Sequence, residues 1–384
     1  MGIKDIKYLL IHSYKLQQTD EKKALFLLNS KIKTMALQIE KSAKTKIHDV
    51  DFDNLKFGQI FTDHMFECDF ENGAWGTPKI RPYQPIAFEP SAKVFHYGQA
   101  VFEGMKAYKD DEDTIWLFRP DQNQERINKS AERLDMPAFP KELFFEGLNE
   151  LIKLDAAWVQ KGSDASLYIR PFVIATENCV SASSSNKYKF MIICSPVQAY
   201  YQGEVRVVFA DKYSRAADGG VGFAKAAGNY AGSFYPAKLA AKEGYQQVVW
   251  TDAATHEYLE EAGTMNVFFR VGDKLLTAPT SDRILDGVTR KSIIELAKDK
   301  GIEVEVRPVS VTEIVEAAEK GELLEMFGAG TAAVISVISG FSNRGKSYEL
   351  PQLDDSYAAF IKKSITDIQR NKAEDKFGCR YKVQ

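Results

Sequence analysis

The chain has 384 residues, of which 45% are hydrophobic and 27% charged, and its net charge is -3. That balance belongs to a water-soluble globular protein, and the length suits two domains with a core in each. A charge so close to neutral argues against nucleic acid or an anionic membrane as the main partner, and no apolar run approaches the ~18 residues that span a bilayer.

In chain order, residues 1–34 are rich in Lys, Leu and Ile and contain no Arg. We read residues 1–50 as an N-terminal extension, disordered or lying upstream of a true start at Met35. Apolar runs alternating with turn residues over about 55–110 predict strands, for example at 58–61, 86–88 and 105–108. Helical spacing predicts helices over 121–134 and 141–159, and strands follow at 166–175 and 189–195. These elements form a small α/β domain over 51–198. The stretch 196–203 interrupts strand-like sequence on both sides, so the interdomain linker is placed at 199–204. A large α/β domain then covers 205–384, with strands expected at 204–210, 247–251, 267–271 and 274–277. Its helices are expected near 231–243, 288–300, 310–320 and 355–371. Gly244, Gly301 and Gly321 stand where three of them should stop, and Ser310 with Glu313 has the spacing of a capping box.

Cys68, Cys179, Cys194 and Cys379 show no CxxC pair and no histidine at ligand spacing. Neither a disulfide framework nor a zinc site is expected, no metal is assigned, and the chain reads as cytoplasmic.

Lys225 lies in Phe-Ala-Lys-Ala-Ala-Gly-Asn-Tyr (223–230), and Glu-Ala-Gly-Thr-Met-Asn (261–266) follows on the next strand. A lysine among small residues can be desolvated, which lowers its pKa and frees the amine for a Schiff base. Tyr230 can face a ring hydroxylate, and Glu261 can hold a ring nitrogen protonated. These are the handles that pyridoxal phosphate chemistry asks of a protein. Alone, Lys225 would read as a surface lysine in a glycine-rich loop; its neighbours argue otherwise.

Two more turns are rich in glycine. Leu-Asp-Gly-Val-Thr-Arg (285–290) opens a helix, and Phe-Gly-Ala-Gly-Thr-Ala-Ala (327–333) runs into an apolar stretch. Such turns present backbone N–H groups that favour a phosphate. A dinucleotide fingerprint fits badly, for lack of a third glycine and an acidic ribose partner. In the first half, Tyr97 and Phe102 stand five apart in an apolar setting. Tyr168 and Arg170 share one strand face, where they can read a carboxylate by hydrogen bond and charge. A half-exposed strand with solvated polar residues would look the same. Arg126, on a helix, reads either as surface charge or as a phosphate clamp.

Together these motifs resemble the branched-chain-amino-acid aminotransferases, of fold type IV among pyridoxal phosphate enzymes. The resemblance runs from Phe57 (Phe-Gly-x-x-Phe-Thr-Asp-His-Met) to the final helix. It includes Glu261-x-Gly263-x-x-Asn266-Val267-Phe268, then Leu275-x-Thr277, then Leu285-x-Gly287-Val288-x-Arg290. It implies a two-domain α/β fold with pyridoxal 5'-phosphate between the domains, and reversible transamination of leucine, isoleucine and valine with 2-oxoglutarate. It also implies a homodimer with active sites near the subunit interface.

Carried over position by position, Lys225 matches the Schiff-base lysine, Glu261 the partner of the pyridine nitrogen and Tyr230 the residue facing the ring hydroxyl. Arg126, Thr264, Val288, Thr289 and Thr331 match cofactor-binding positions. Phe57, Tyr97, Phe102 and Tyr168 match the substrate-pocket aromatics, and Thr331-Ala332 the turn that meets the substrate carboxylate. Arg170 matches the arginine that accommodates glutamate's side-chain carboxylate. A D-amino-acid aminotransferase or an aminodeoxychorismate lyase would keep Lys225 and Glu261 but lack the Phe-Glu-Gly-Met and Tyr-x-Arg-Pro stretches. A non-catalytic cofactor-binding protein would be a different class. Some animal members carry a redox-active CxxC just after the Gly-x-Gly-Thr turn; Ala333 and Ser336 stand there, so that thiol switch should be absent.

Overall fold

Two long, largely buried strands, Ser166–Ala175 and Tyr188–Val197, pair antiparallel along their whole length, from Ser166 opposite Val197 to Ala175 opposite Tyr188. They centre a ten-stranded sheet in the computed structural model, which describes residues 36–198 and 204–384. His64–Glu71 adds to one side, and Met105–Lys109 followed by Ile115–Phe118 to the other. The helix Lys141–Leu154 packs on this sheet because Leu143, Phe144, Leu148, Leu151 and Ile152 recur at helical spacing on its buried face. Phe139 and Phe190 stack in the core beneath it, ring centroids 3.7 Å apart.

The second sheet also has ten strands among the described residues, and six of them close a ring. In ring order these are Met265–Val271, Leu323–Gly330, Val334–Asn343, Val205–Phe209, Gln247–Thr251 and Tyr258–Ala262; pairing of Glu261 with Asn266 and of Ala262 with Met265 completes the circuit. Val207, Phe209, Val249, Phe269, Met326 and Phe341 are among the residues of its core. A further core joins the halves: Phe268 and Phe327 of the second sheet and Ile293, Ile361 and Ile365 of two helices enclose Tyr108 and Phe118 of the first sheet. The chain end ties the halves again, because Arg380–Lys382 pairs with Ile115–Phe118. The large unit therefore gives its last strand to the first sheet.

Most expected elements form, among them the helices Pro120–Arg133, Ala227–Lys242, Val288–Asp299, Val311–Glu319 and Tyr357–Gln369. Ser310 accepts from the Glu313 N–H at 3.0 Å, but the Glu313 carboxylate turns to Arg307, so the capping box is half made. Several expectations need correction. Residues 58–61 and 86–88 form no strand; Phe61 instead stacks on Tyr83 at 4.9 Å, so its apolar surface is used without a ladder. The helix expected to reach 159 ends at Leu154, and a short 3-10 turn, Ala156–Trp158, follows. Pro196 and Val197 complete a strand, and residues 199–203 of the expected linker lie outside the described residues. The glycine-rich run 327–333 is, as read, a turn into an apolar stretch: the end of one strand and a tight turn into the strand Val334–Asn343.

Residues 36–50 also depart from the expectation of an extension. Residues 1–35 lie outside the described residues, but from residue 36 the chain belongs to the first half. Gln38–Ile39 pairs with Lys79–Pro82, and Leu37, Ile47 and Val50 pack against the core. The Ser42 N–H donates to His64 Nε2 at 2.8 Å, and Asp63 accepts from Thr45 Oγ1 at 2.6 Å and the Lys46 N–H at 2.8 Å. A chain that begins at residue 51 should therefore be less stable than one that begins at residue 36 by about 3 kcal/mol, the order expected for three apolar side chains returned to water. Urea midpoints of the two would measure this, and equal midpoints would restore residues 36–50 to the extension.

Candidate active site

A cavity of about 700 Å³ lies where the two sheets face each other, and both halves contribute to its wall. Lys225 enters it just ahead of the helix Ala227–Lys242. Its backbone is clamped on both sides: its N–H donates to Ser130 Oγ at 2.9 Å, and its carbonyl accepts the Phe102 N–H at 3.1 Å. The amine is thereby aimed at Tyr230, 2.7 Å from the phenol oxygen, and lies 4.9 Å from the centre of the Phe102 ring.

Glu261 lines the same cavity from the last strand pair of the ring. The turn that follows needs Gly263, whose φ is +58° and whose added Cβ would meet the Gln247 side-chain oxygen at 1.8 Å. Glu261 is 4% exposed. Oε1 accepts from the Leu285 N–H and from Asn266 Nδ2, both at 3.2 Å, and Oε2 pairs with Arg215. Burial pushes this carboxyl's pKa up, opposed first by the Arg215 guanidinium and then by the Leu285 N–H. Arg215 was not foreseen; it lies 46 residues from Glu261 and nothing in its local sequence marks it.

Beside Glu261 the helix Val288–Asp299 begins, and Val288 and Thr289 line the cavity. Its first-turn N–H groups have no intrahelical partners and suit an anion. Arg126 reaches the same region. It is not surface charge but a buried group, with Nε and Nη2 donating to Glu103 at 2.6 and 2.9 Å and Nη1 donating to the Asp286 carbonyl at 2.9 Å. Three of its five N–H donors are thus committed, which leaves two for a phosphate. Glu103, also unforeseen, accepts further bonds from Asn123 Nδ2 and the Gly104 N–H at 2.8 and 3.1 Å. Burial alone would raise its pKa, but the charge and hydrogen bonds of Arg126 outweigh this and hold it below the ordinary value.

The opposite wall comes from the first sheet. Tyr168 and Arg170 do share a face; Arg170 Nη2 donates to the Tyr168 hydroxyl at 2.9 Å, and its guanidinium lies 4.6 Å from the Phe102 ring centre. Arg170 Nε is buried without a partner, so the group keeps an unused donor. Gly104 makes room for Tyr168, since a Cβ there would lie 2.2 Å from the hydroxyl. Phe57 packs edge-on against Tyr168 at 4.9 Å, and Thr264, Thr331 and Ala332 line the remaining wall. One expected residue is elsewhere. Tyr97 is 46% exposed, donates its hydroxyl to the Val180 carbonyl and is absent from the wall of this cavity.

Residues 100–333 match the sequence profile of amino-transferase class IV. The chain belongs to that family. A branched-chain-amino-acid transaminase 1 of Bacillus subtilis is 46% identical over 340 residues, which span 87% of this chain and 95% of the relative. A probable branched-chain-amino-acid aminotransferase of Staphylococcus epidermidis is 48% identical over 341 residues, 87% and 94% of the two chains. The fold matches a branched-chain aminotransferase structure from Thermoproteus uzoniensis, with a TM-score of 0.68 at 23% identity over 83% of this chain and 99% of that one. The class IV profile spans Lys225, Glu261 and the Thr331 turn, whereas Phe57 and Tyr97 precede it.

For this class IV chain, the buried Glu103–Arg126 pair sets a stability test. Glu103→Ala leaves a buried guanidinium without its carboxylate, at a cost of about 3–5 kcal/mol. Because the folded carboxyl titrates below its ordinary 4.5, its contribution is complete above that pH and is lost as pH falls through the folded value. Urea unfolding between pH 3 and 7 should show a smaller acid-side loss of stability in the variant than in the parent chain.

Proposed function

We propose that the chain is a branched-chain-amino-acid aminotransferase, which exchanges an amino group reversibly between leucine, isoleucine or valine and 2-oxoglutarate with pyridoxal 5'-phosphate as cofactor. The observation that carries this reading is one cavity in which an amine (Lys225), a buried carboxylate (Glu261) and an anion-binding helix start stand together beside an aromatic wall. The residues suit the cofactor: Lys225 for its aldehyde, Tyr230 for its ring hydroxyl, Glu261 for its ring nitrogen, and Arg126 with the backbone at Val288, Thr289 and Thr331 for its phosphate. When bound, the cofactor supplies the electron sink for the pair left behind when the substrate Cα–H bond breaks.

The chain's own residues do the rest. The Lys225 amine, once free, would take the proton from the substrate Cα as general base and, as general acid, return it across the amino nitrogen to the carbon that carried the cofactor's aldehyde oxygen. The Tyr230 hydroxyl at 2.7 Å keeps that amine directed into the cavity. Glu261, paired with Arg215, holds the proton on the ring nitrogen. Phe57, Phe102 and Tyr168 receive an aliphatic side chain and keep water from it, while Arg170, whose guanidinium lines the same cavity, receives the second carboxylate of glutamate.

A homodimer fits the outer surface. Phe95, Tyr97 and Val180 are 62%, 46% and 63% exposed, more apolar surface than single scattered residues leave in water. In a dimer Tyr97, absent from its own cavity, can serve the second copy's. We place the protein in the cytoplasm on the strength of its four free cysteines. Among the described residues no helix is long and apolar enough to cross a membrane.

Lys225→Ala should abolish multiple turnover, and borohydride reduction of the holoenzyme followed by peptide mapping should place the pyridoxyl label on Lys225; a label on another lysine would overturn the assignment. Arg170→Met should weaken the glutamate half-reaction roughly ten- to a hundredfold, the worth of a charge-assisted hydrogen bond in a desolvated site, and leave the leucine half-reaction nearly intact. Single-turnover kinetics with each amino acid measures both, and an equal loss in the two would make Arg170 structural.

A further inference from the structure

Lys106 lies on the strand Met105–Lys109, opposite Tyr168 in the ladder, and is 8% exposed. It does not line the cavity. Its Nζ donates to the Ala332 carbonyl at 2.6 Å and so bridges the first sheet to the three-residue turn 331–333 of the second. No Asp or Glu pairs with it among the described residues; the charges that act on it are Arg370 and Lys362, and burial followed by these two cations lowers its pKa to about 8. A buried cation with no carboxylate of its own is costly to keep. The turn it holds is also unusual, because Val334, which closes it, has φ of +60°. A β-branched residue in that region persists only where its surroundings impose it.

We propose that Lys106 is a positioning residue for substrate carboxylates, fixing the 331–333 turn from behind and supplying the positive charge that the turn's N–H groups lack. In a trans peptide the carbonyl and the N–H point in opposite directions. Drawing the Ala332 carbonyl toward Lys106 therefore turns the Ala333 N–H away from it, and the ammonium polarises that N–H into a stronger donor. This inference rests on the reading that the Thr331-Ala332 turn meets the α-carboxylate. Every substrate carries that group, so Lys106 should act on all of them alike, whereas Arg170 distinguishes glutamate from leucine.

The test compares binding of 4-methylvalerate and its neutral amide to the holoenzyme, followed by calorimetry, in the parent chain, Lys106→Met and Lys106→Arg. The parent should prefer the acid by about tenfold or more, the scale of a charge-assisted contact. Lys106→Met should reduce the preference to within twofold, raise KM for leucine and glutamate by similar factors, and affect kcat less. Lys106→Arg should restore most of the preference. Cofactor content and Tm show whether the methionine variant is folded, and Lys106→Gln replaces it if it is not. A parent chain without preference overturns the carboxylate reading of the turn. A parent with the preference and an uncharged variant that retains it overturns the role of Lys106 alone, as would an arginine that restores nothing.

Discussion

An ionised carboxylate taken out of water costs several kcal/mol unless a cation and hydrogen-bond donors replace its hydration. The cavity depends on two carboxylates that meet this condition with partners from distant parts of the chain. Glu261 has Arg215, the Leu285 N–H and Asn266. Glu103 has Arg126, Asn123 and the Gly104 N–H. Each pair also positions backbone: Arg215 donates to the Gly222 carbonyl, and Arg126 to the Asp286 carbonyl, just ahead of the helix Val288–Asp299. Charge compensation and the shape of the cavity are thus the same set of contacts.

The two sheets divide the labour. The second sheet and its helices carry Lys225, Tyr230, Glu261 and the helix start at Val288, the groups to which the proposed function gives the proton and the phosphate. The first sheet presents Phe102, Tyr168 and Arg170, the wall to which the proposed function gives the choice of side chain. The shared core holding Tyr108 and Phe118 against Phe268 and Phe327 keeps these walls at one separation. Ser130 makes the link most directly, since its hydroxyl accepts from the Lys225 N–H and donates to the Arg126 carbonyl, one turn back on its own helix.

Much of this was legible in the sequence. Helical and alternating periods located the helices at 120–133 and 288–299 and the strands at 166–175 and 274–277, because a buried face repeats at fixed spacing. The strand His64–Glu71 falls within the stretch read as strands, since Phe66, Cys68 and Phe70 alternate with Glu67 and Asp69; that Arg81 and Lys189 pair with these carboxylates only the fold shows. Strands at 58–61 and 86–88 were expected from short apolar runs, but such runs do not say whether an edge is free to receive them. Residues 36–50 looked like an extension because their partners, Asp63, His64 and the strand at 79–82, are remote in sequence.

By itself the sequence determined the chemistry: Lys225, Tyr230 and Glu261 lie in short motifs whose residue types and spacing already specify an amine, a phenol and a carboxylate on neighbouring elements. Only the tertiary structure decided which groups keep that chemistry charged and aimed. Arg215 carries no local signal, and the Phe-Glu-Gly-Met-Lys stretch that holds Glu103 and Lys106 does not tell what they touch, since an ion pair or a hydrogen bond across 46, 23 or 226 residues leaves no period in the chain. The tertiary structure also separated Tyr97 from the other pocket aromatics, because the position of a side chain is settled by what its strand or helix packs against.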